Sequence, residues 1–153
     1  RTLVGHLHAQ LDDVGLVHGV DRVKIVGDAY FGVCGHDRPY IDHGPRVVAF
    51  AGDARNAVRA VADRSEQAID IAAAVHTGPV TVGMAGGERL VYDVFGETVS
   101  FAHQLARQAA TGDIVVSETT RRLLPDSVEV SAVVDGDRPV WRIDGDATQG
   151  IPS

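Results

Sequence analysis

The sequence lacks the features that mark several common classes of protein. Its one cysteine, Cys34, cannot form an internal disulfide, which favours a reducing compartment such as the cytoplasm. Its 14 lysine and arginine residues are outnumbered by 21 aspartates and glutamates and form no basic run, so we expect no nucleic-acid partner. No apolar run approaches the roughly 18–20 residues that span a bilayer, and we expect no signal peptide.

The chain does contain enough apolar residues for one folded domain. Hydrophobic residues make up 44% of the 153 positions and charged residues 23%, a balance typical of a globular domain rather than of a disordered chain. The sequence begins at Arg1, without methionine and inside a predicted helix. We therefore interpret it as a single domain from a longer protein, whose upstream part could contain regulatory or membrane domains.

The pattern of apolar residues predicts an alternation of helices and short strands. The predicted helices are Thr2–Val17, Arg46–Asp63, Val99–Ala110 and a short helix capped by Ser117 that runs to Leu124, and a loop is predicted over Gly35–Pro45. The predicted strands are Val20–Val26, Ala29–Cys34, Ile69–His76, Val80–Ala85, Leu90–Phe95, Asp113–Val116, Val128–Val134 and Val140–Ile143. Hairpins that alternate with helices predict an α+β domain, in which an antiparallel-rich sheet carries helices packed on its faces.

Three residues could carry chemistry, although each also has an ordinary structural explanation. Asp28 follows Gly27 in a predicted turn, where an aspartate commonly bonds its own backbone. Lys24 alone would be a solvated strand residue. Asp93 lies on an apolar strand, where a carboxylate needs a partner or an exposed strand end. The glycine-rich segment Val82–Gly87 lacks the Lys-Ser/Thr ending of a phosphate-binding P-loop, which favours a tight hairpin.

The combination of spacing, glycines and flanking apolar residues resembles the catalytic domain of class III nucleotidyl cyclases. The segments that carry the resemblance are GVDRVKIVGDAYFGVCG at Gly19–Gly35, VHTGPVTVGMAGGERLVYDVFGETVSFA at Val75–Ala102 and TGDIVVSETT at Thr111–Thr120. The resemblance extends from about Leu3 to Ile143, nearly the whole chain. It implies a ferredoxin-like, palm-type fold whose first strand would precede Arg1, and a homodimer with nucleotide sites between the subunits.

The resemblance also implies how substrate and metal ions are bound. In this family the residues at the positions of Lys24 and Asp93 read adenine together. A lysine donor and a carboxylate acceptor match the ring acceptor and amino donor of adenine, so ATP is expected over GTP. Asp28 is expected to bind two divalent cations, Mg²⁺ or Mn²⁺, with an earlier aspartate that would precede Arg1. Each site would take Asp28 from one subunit and Lys24 with Asp93 from the other.

Other positions depart from the family pattern. Ser100 and Gln104 stand where the family usually has the asparagine and arginine that steady the ribose and the charged transition state. They remain one helical turn apart on one face, so the geometry is retained while the chemistry is weakened. Arg107 could substitute for the arginine, although a surface role is favoured. The family has a lysine in the last hairpin that binds the triphosphate. This sequence has no lysine there, and Arg138 is the candidate to take its place.

These observations leave three hypotheses for the function. The leading one is an adenylate cyclase of reduced activity, which would convert ATP to 3′,5′-cyclic AMP and pyrophosphate by metal-assisted in-line attack, for signal transduction. The second is a regulatory module that keeps the fold and nucleotide binding without turnover, as the Ser100–Gln104 pair suggests. The third is a dimerisation domain without a nucleotide site. The presence of Lys24, Asp28 and Asp93 argues against this third hypothesis.

Overall fold

The computed structural model describes residues 3–26, 29–35, 42–85, 91–133 and 138–144, and for residues 3–4, 24–26, 81–85 and 91–95 it describes the backbone alone. The elements in chain order are α1 Leu3–His18, β1 Asp21–Val26, β2 Ala29–Val33, α2 His43–Ser65, β3 Ala73–Val75, β4 Thr81–Ala85, β5 Val91–Phe95, α3 Glu97–Gln108, β6 Ile114–Ser117, α4 Glu118–Arg121, β7 Val130–Val133 and β8 Val140–Ile143. Within the described ranges, no helix is long and apolar enough to cross a bilayer.

The described strands form three sheets. β1 pairs with β2, and β4 pairs with β5, as two separate antiparallel ribbons. The third sheet has the strand order β3-β6-β8-β7, in which β3 runs parallel to β6 and the other neighbours are antiparallel. The prediction of an antiparallel-rich α+β fold is confirmed. The sequence did not predict the parallel β3–β6 pair or the division of the strands among three sheets.

Alternating residues of β6 place two helices on opposite faces of the four-stranded sheet. Ile114 and Val116 pack in one core cluster with Val48 of α2. Val115, between them, packs instead with Leu105 of α3. Since successive strand residues point to opposite faces, α2 and α3 cover the two sides of the sheet. All four residues of β6 are buried as a result, and the predicted α+β fold with helices packed on its sheet is confirmed.

The second helix begins before its predicted start. α2 starts at His43 rather than at Arg46, so the predicted loop Gly35–Pro45 is wrong at its C-terminal end. Pro45 lies in the first turn of the helix, where a missing backbone N–H costs no helical hydrogen bond and the fixed φ of proline suits the helix. Proline therefore marks the beginning of α2 and not the end of the loop.

The strand predicted over Ile69–His76 is shorter, because local polar contacts hold its first half. β3 consists of Ala73–Val75. The Asp70 carboxylate accepts a hydrogen bond from the following backbone N–H at 2.9 Å and forms a 3.0 Å ion pair with Arg59. Side-chain bonds of this kind compete with the strand ladder. The two isoleucines that flank Asp70 pack against the apolar cluster between α1 and α2.

The remaining boundaries agree with the predictions to within a few residues. α1 and α3 are each displaced by one or two residues from their predicted ends. Ser117 caps α4 as predicted, with its hydroxyl accepting from the Thr120 N–H, although the helix ends at Arg121 rather than at Leu124. The closing hairpin is present as the antiparallel pair β7–β8.

A large apolar cavity of about 950 Å³ lies between the β1–β2 hairpin and the four-stranded sheet. Its walls include β2, β3 and apolar side chains of three helices, among them Leu11, Phe50 and Val99. Among the described strands, β2 pairs with β1 alone and β3 pairs with β6 alone. Both strands that line the cavity therefore have one unpaired edge, whose N–H and C=O groups could receive another strand.

Candidate active site

Two adjacent strands carry the residues predicted to read the base. Lys24 lies on β1 opposite Phe31, next to a shift of register in the ladder. Asp93 lies on β5 opposite Gly83, and β5 lies beside β1. The fold therefore brings together the two strands that carry Lys24 and Asp93. Both side chains lie outside the described part of the structure.

The predicted metal ligand, Asp28, also lies outside the described residues. The strands on either side of it pair as an antiparallel hairpin up to Val26 opposite Ala29, which is the predicted connection. β4 and β5 likewise pair up to Ala85 opposite Val91, as expected for a hairpin at the glycine-rich segment. Among the described residues, no three His, Cys, Asp or Glu side chains converge to form a metal site.

The helix that follows β5 carries the two residues that depart from the family pattern. The chain turns from β5 into α3 at Gly96, whose φ of 128° lies in the region that favours glycine. Ser100 and Gln104 are both exposed on α3 and lie one turn apart, as predicted. A hydroxyl and an amide offer neutral donors and acceptors, without the charge of an arginine.

Arg107, the predicted substitute for the missing arginine, lies in the last turn of α3 and is exposed. A cation there interacts favourably with the carbonyl end of the helix. Arg107 lines the large apolar cavity, and neither Ser100 nor Gln104 is among the residues that line it. The structure therefore places Arg107 on the cavity side of α3, and its role as a substitute for the arginine stays a prediction.

Arg138, two residues before the last strand, contacts α3. Its guanidinium carbon lies 4.5 Å from the centroid of the Phe101 ring, a distance typical of a cation–π contact. Phe101 follows Ser100 and precedes Gln104 by nearly one turn, so Arg138 lies against the same stretch of helix. A pocket of about 420 Å³ is lined there by Phe101, Arg138, His76 and the first turn of α3.

His76, which directly follows β3, also belongs to this pocket. Its ring meets Phe101 edge-on, with 4.5 Å between the centroids, and its Nδ1 lies 2.7 Å from the Ser117 hydroxyl. Burial, and after it the charge of Arg138, lowers the pKa of His76 and so favours the neutral imidazole. His76, Phe101 and Arg138 come from three separate parts of the chain, so no sequence spacing could have predicted that they meet.

The chain is similar to nucleotide cyclases over most of its length. The family model for the adenylate and guanylate cyclase catalytic domain matches residues 1–140. An adenylate cyclase of Mycobacterium tuberculosis strain H37Rv is 31% identical over 120 residues, which are 78% of this chain and 27% of that protein. The guanylate cyclase soluble subunit beta-2 of Rattus norvegicus is 31% identical over 123 residues, 80% of this chain and 18% of that protein. The chain thus spans only about a quarter of these relatives or less.

The fold is also similar to that of solved cyclase domains. The guanylate cyclase domain of RhGC from Catenaria anguillulae, in complex with GTP, aligns with a TM-score of 0.85 at 24% identity. The alignment covers 93% of this chain and 81% of that domain. The two proteins therefore share the fold.

Proposed function

The chain belongs to the adenylate and guanylate cyclase catalytic domain family, and we propose that it converts ATP to 3′,5′-cyclic AMP and pyrophosphate. The observation that carries the proposal is the adjacency of β1 and β5, the strands of Lys24 and Asp93. α3, with Ser100 and Gln104, begins two residues after β5 ends. The strand that carries Asp93, proposed to bind the base, therefore leads directly into the helix whose Ser100 and Gln104 would bind the ribose and the phosphates.

The proposed preference for ATP rests on the pattern of donors and acceptors. Adenine presents a ring acceptor and an amino donor, which a lysine and a carboxylate complement, whereas guanine reverses this pattern. Relatives named adenylate cyclase and guanylate cyclase are equally similar to this chain, so similarity does not select the base. Lys24 and Asp93 are therefore the basis on which we propose ATP.

In the proposed reaction, the ribose 3′-oxygen forms a bond to the α-phosphorus while the bond from that phosphorus to the pyrophosphate oxygen breaks. The 3′-hydroxyl proton is released to solvent, and pyrophosphate leaves. Arg138 would bind the polyphosphate end, and Ser100 and Gln104 would bond the ribose and the α-phosphate. A neutral amide stabilises the developing charge less well than a guanidinium, so we propose a slow turnover.

We propose that Asp28 holds divalent cations at the tip of the β1–β2 hairpin. Carboxylate oxygens are the ligands that Mg²⁺ and Mn²⁺ prefer, so the residue type fits, but one carboxylate provides only part of a site for two ions. The second aspartate would lie outside residues 1–153. When bound, such ions neutralise the charge of the triphosphate and favour ionisation of the 3′-hydroxyl.

We also propose that the working site forms in a homodimer of the parent protein, with Asp28 of one subunit facing Lys24 and Asp93 of the other. The unpaired edges of β2 and β3 support a further proposal, that one more strand belongs to each subunit. An extended segment preceding Arg1 would pair with both edges and fill the apolar cavity between them. Such a segment is also where the second aspartate would be found.

The test is to incubate the parent protein, and the 153-residue chain beside it, with ATP or GTP and Mn²⁺ and to separate the nucleotides by chromatography. We expect cyclic AMP and pyrophosphate in equal amounts, with less cyclic GTP, and more product from the parent protein. Asp28→Asn is the matched control and should abolish product. A parent protein that forms neither cyclic nucleotide would refute the enzymatic proposal.

A regulatory module is the second candidate, and the neutral Ser100 and Gln104 pair is the observation that favours it. In that case ATP would bind without turnover. Equilibrium dialysis with labelled ATP, run beside the activity assay, separates the two functions. Binding without product would select the regulatory module.

A further inference from the structure

Phe101 makes two different ring contacts at once. The guanidinium of Arg138 lies over the Phe101 ring, 4.5 Å from its centroid. The His76 ring meets the same phenyl group edge-on, at 72° and 4.5 Å between centroids. A phenyl face is negative and its edge is positive, so the face suits a cation. Arg138, which is itself exposed, thereby has a defined resting place on α3.

His76 is in turn held by a buried polar network. Its Nδ1 lies 2.7 Å from the hydroxyl of Ser117, a residue with 2% of its surface exposed. That hydroxyl lies 3.3 Å from the hydroxyl of Thr120, which lies 2.8 Å from that of Thr77. The network ties His76 to the end of β6 and the start of α4, both in the four-stranded sheet region. His76 therefore gives Phe101 a rigid support rather than a mobile neighbour.

The charges around the pocket favour an anion, with one exception. Arg138 provides a full positive charge, and the lowered pKa of His76 favours its neutral form. The first turn of α3 lines the pocket, and its N-cap, Gly96, has no side chain to bond the free N–H groups of that turn. Glu97 also lines the pocket and is the one acidic side chain among the described residues that line it.

We propose that Phe101 and His76 are positioning residues that hold Arg138 for the polyphosphate end of the nucleotide in this pocket. The inference rests on the proposed function for its ligand, and it adds two residues to which the resemblance to the cyclases assigned no role. The phenyl face sets where the guanidinium rests, and His76 sets the position of the phenyl ring. Loss of either contact would leave a mobile arginine that must be ordered by the ligand at an entropic cost.

The first experiment measures binding of inorganic tripolyphosphate to the full chain by calorimetry. Phe101→Leu removes the aromatic face and should weaken binding about two- to fivefold, the range expected for an exposed cation–π contact. Phe101→Tyr keeps the face and should restore wild-type affinity. Arg138→Gln should weaken binding further, and Glu97→Gln should strengthen it. Equal affinity in the wild type and Phe101→Leu, with unchanged melting curves, would overturn the proposal.

The second experiment follows the His76 ring proton by NMR during a pH titration, with His76→Asn used to assign the signal. Arg138→Gln should move the titration of His76 to higher pH, because a neighbouring positive charge is removed. Tripolyphosphate should do the same in the wild type but not in Arg138→Gln at equal concentration. A titration that neither change moves would contradict the placement of Arg138 beside His76.

The two proposals fail in different ways. Tripolyphosphate binding with the expected order of variants, in a parent protein that makes no cyclic nucleotide, would refute the cyclase and leave this inference standing. A cyclase whose KM for ATP and whose turnover are unchanged in Phe101→Leu would refute this inference and leave the cyclase standing. In a working cyclase, we expect the KM for ATP to rise more than kcat falls.

Discussion

Two strands of similar apolar character, β6 and β2, have very different surroundings. All four residues of β6 are buried, because α2 and α3 cover opposite faces of its sheet. None of the five residues of β2 is fully buried, and one edge of the strand is unpaired and borders the cavity. Packing on two faces makes the four-stranded sheet the stable part of the domain, whereas the hairpin unit, which we define as α1, β1 and β2, has room for a further element.

Polar contacts, together with the apolar cluster around Leu11, hold the hairpin unit together and tie it to α2. The Tyr30 hydroxyl donates to Asp12 at 2.7 Å, and His18 lies 2.6 Å from the Asp53 carboxylate of α2. Lys24 lies on β1 of this unit and Asp28 follows β1 in the sequence, whereas Arg138 precedes β8 of the sheet by two residues. The proposed site therefore spans the boundary between a well-packed region and an open one.

The largest expected effect is on the stability of the sheet. Ile114→Ala removes a side chain with no exposed surface and should lower the free energy of unfolding by about 2–5 kcal/mol, because a cavity remains in a rigid core. Ile71→Ala, at a half-buried position beside the open region, is the matched control and should cost roughly 1–2 kcal/mol. Urea unfolding of both variants measures the difference, and equal losses would contradict the comparison.

The second effect concerns the preference for ATP over GTP, which we assign to Lys24 on β1 and Asp93 on β5. The double variant Lys24→Glu and Asp93→Cys should lower the ratio of kcat/KM for ATP over GTP by about tenfold or more, since hydrogen bonds to charged groups contribute about 1.5–3 kcal/mol. Steady-state assays of the parent protein with both nucleotides provide the ratio. An unchanged preference would remove Lys24 and Asp93 from the proposed base site.

The third effect concerns turnover on α3. The double variant Ser100→Asn and Gln104→Arg should raise cyclic AMP formation by the parent protein by about tenfold or more, which corresponds to an activation barrier lower by about 1.4 kcal/mol. The reason is that a guanidinium stabilises the negative charge of the transition state. The gain should appear in kcat more than in KM, since the added interaction strengthens in the transition state. Brisk wild-type turnover that slows in the double variant would instead show that Ser100 and Gln104 form a working site of their own.

The fourth effect tests the open region through Cys34, which lines the large cavity. Burial raises the pKa of the Cys34 thiol to about 11, so little reactive thiolate is present at pH 8. Alkylation by iodoacetamide should be about tenfold slower in the folded chain than in urea, and it should accelerate as the pH rises towards 11. If a further strand fills the cavity in the parent protein, alkylation there should be slower still. Equal rates in the folded and unfolded chain would show that Cys34 is open to solvent.

The smallest effect concerns Ser117, which caps α4 and also contacts His76. Ser117→Ala removes the N-cap bond of α4 and the partner of His76, and should lower the free energy of unfolding by about 1 kcal/mol. Ser127→Ala, at an exposed position outside any helix or strand, should change it by less than about 0.5 kcal/mol. Thermal unfolding distinguishes the two, and identical curves would mean that solvent replaces the Ser117 bonds without loss.

The sequence predicted the parts of the fold that depend on local pattern. The hairpins around Asp28 and at the end of the chain, the cap at Ser117 and the helix of Ser100 and Gln104 all follow from periodicity, glycine and capping chemistry. It failed where a local contact overrode the pattern. The Asp70 bonds shorten β3, and Pro45 lies in the first turn of α2 in place of ending a loop.

By itself the sequence determined the family, the order of elements and the residue types available for chemistry, because these are properties of neighbours along the chain. Only the tertiary structure decided that β3 pairs in parallel with β6, that an apolar cavity separates β2 from β3, and that Arg138 rests on Phe101 beside His76. Each of these joins residues from distant segments. Such contacts form when buried surface and ring geometry outweigh the entropy of closing long loops, a balance that no short stretch of sequence contains.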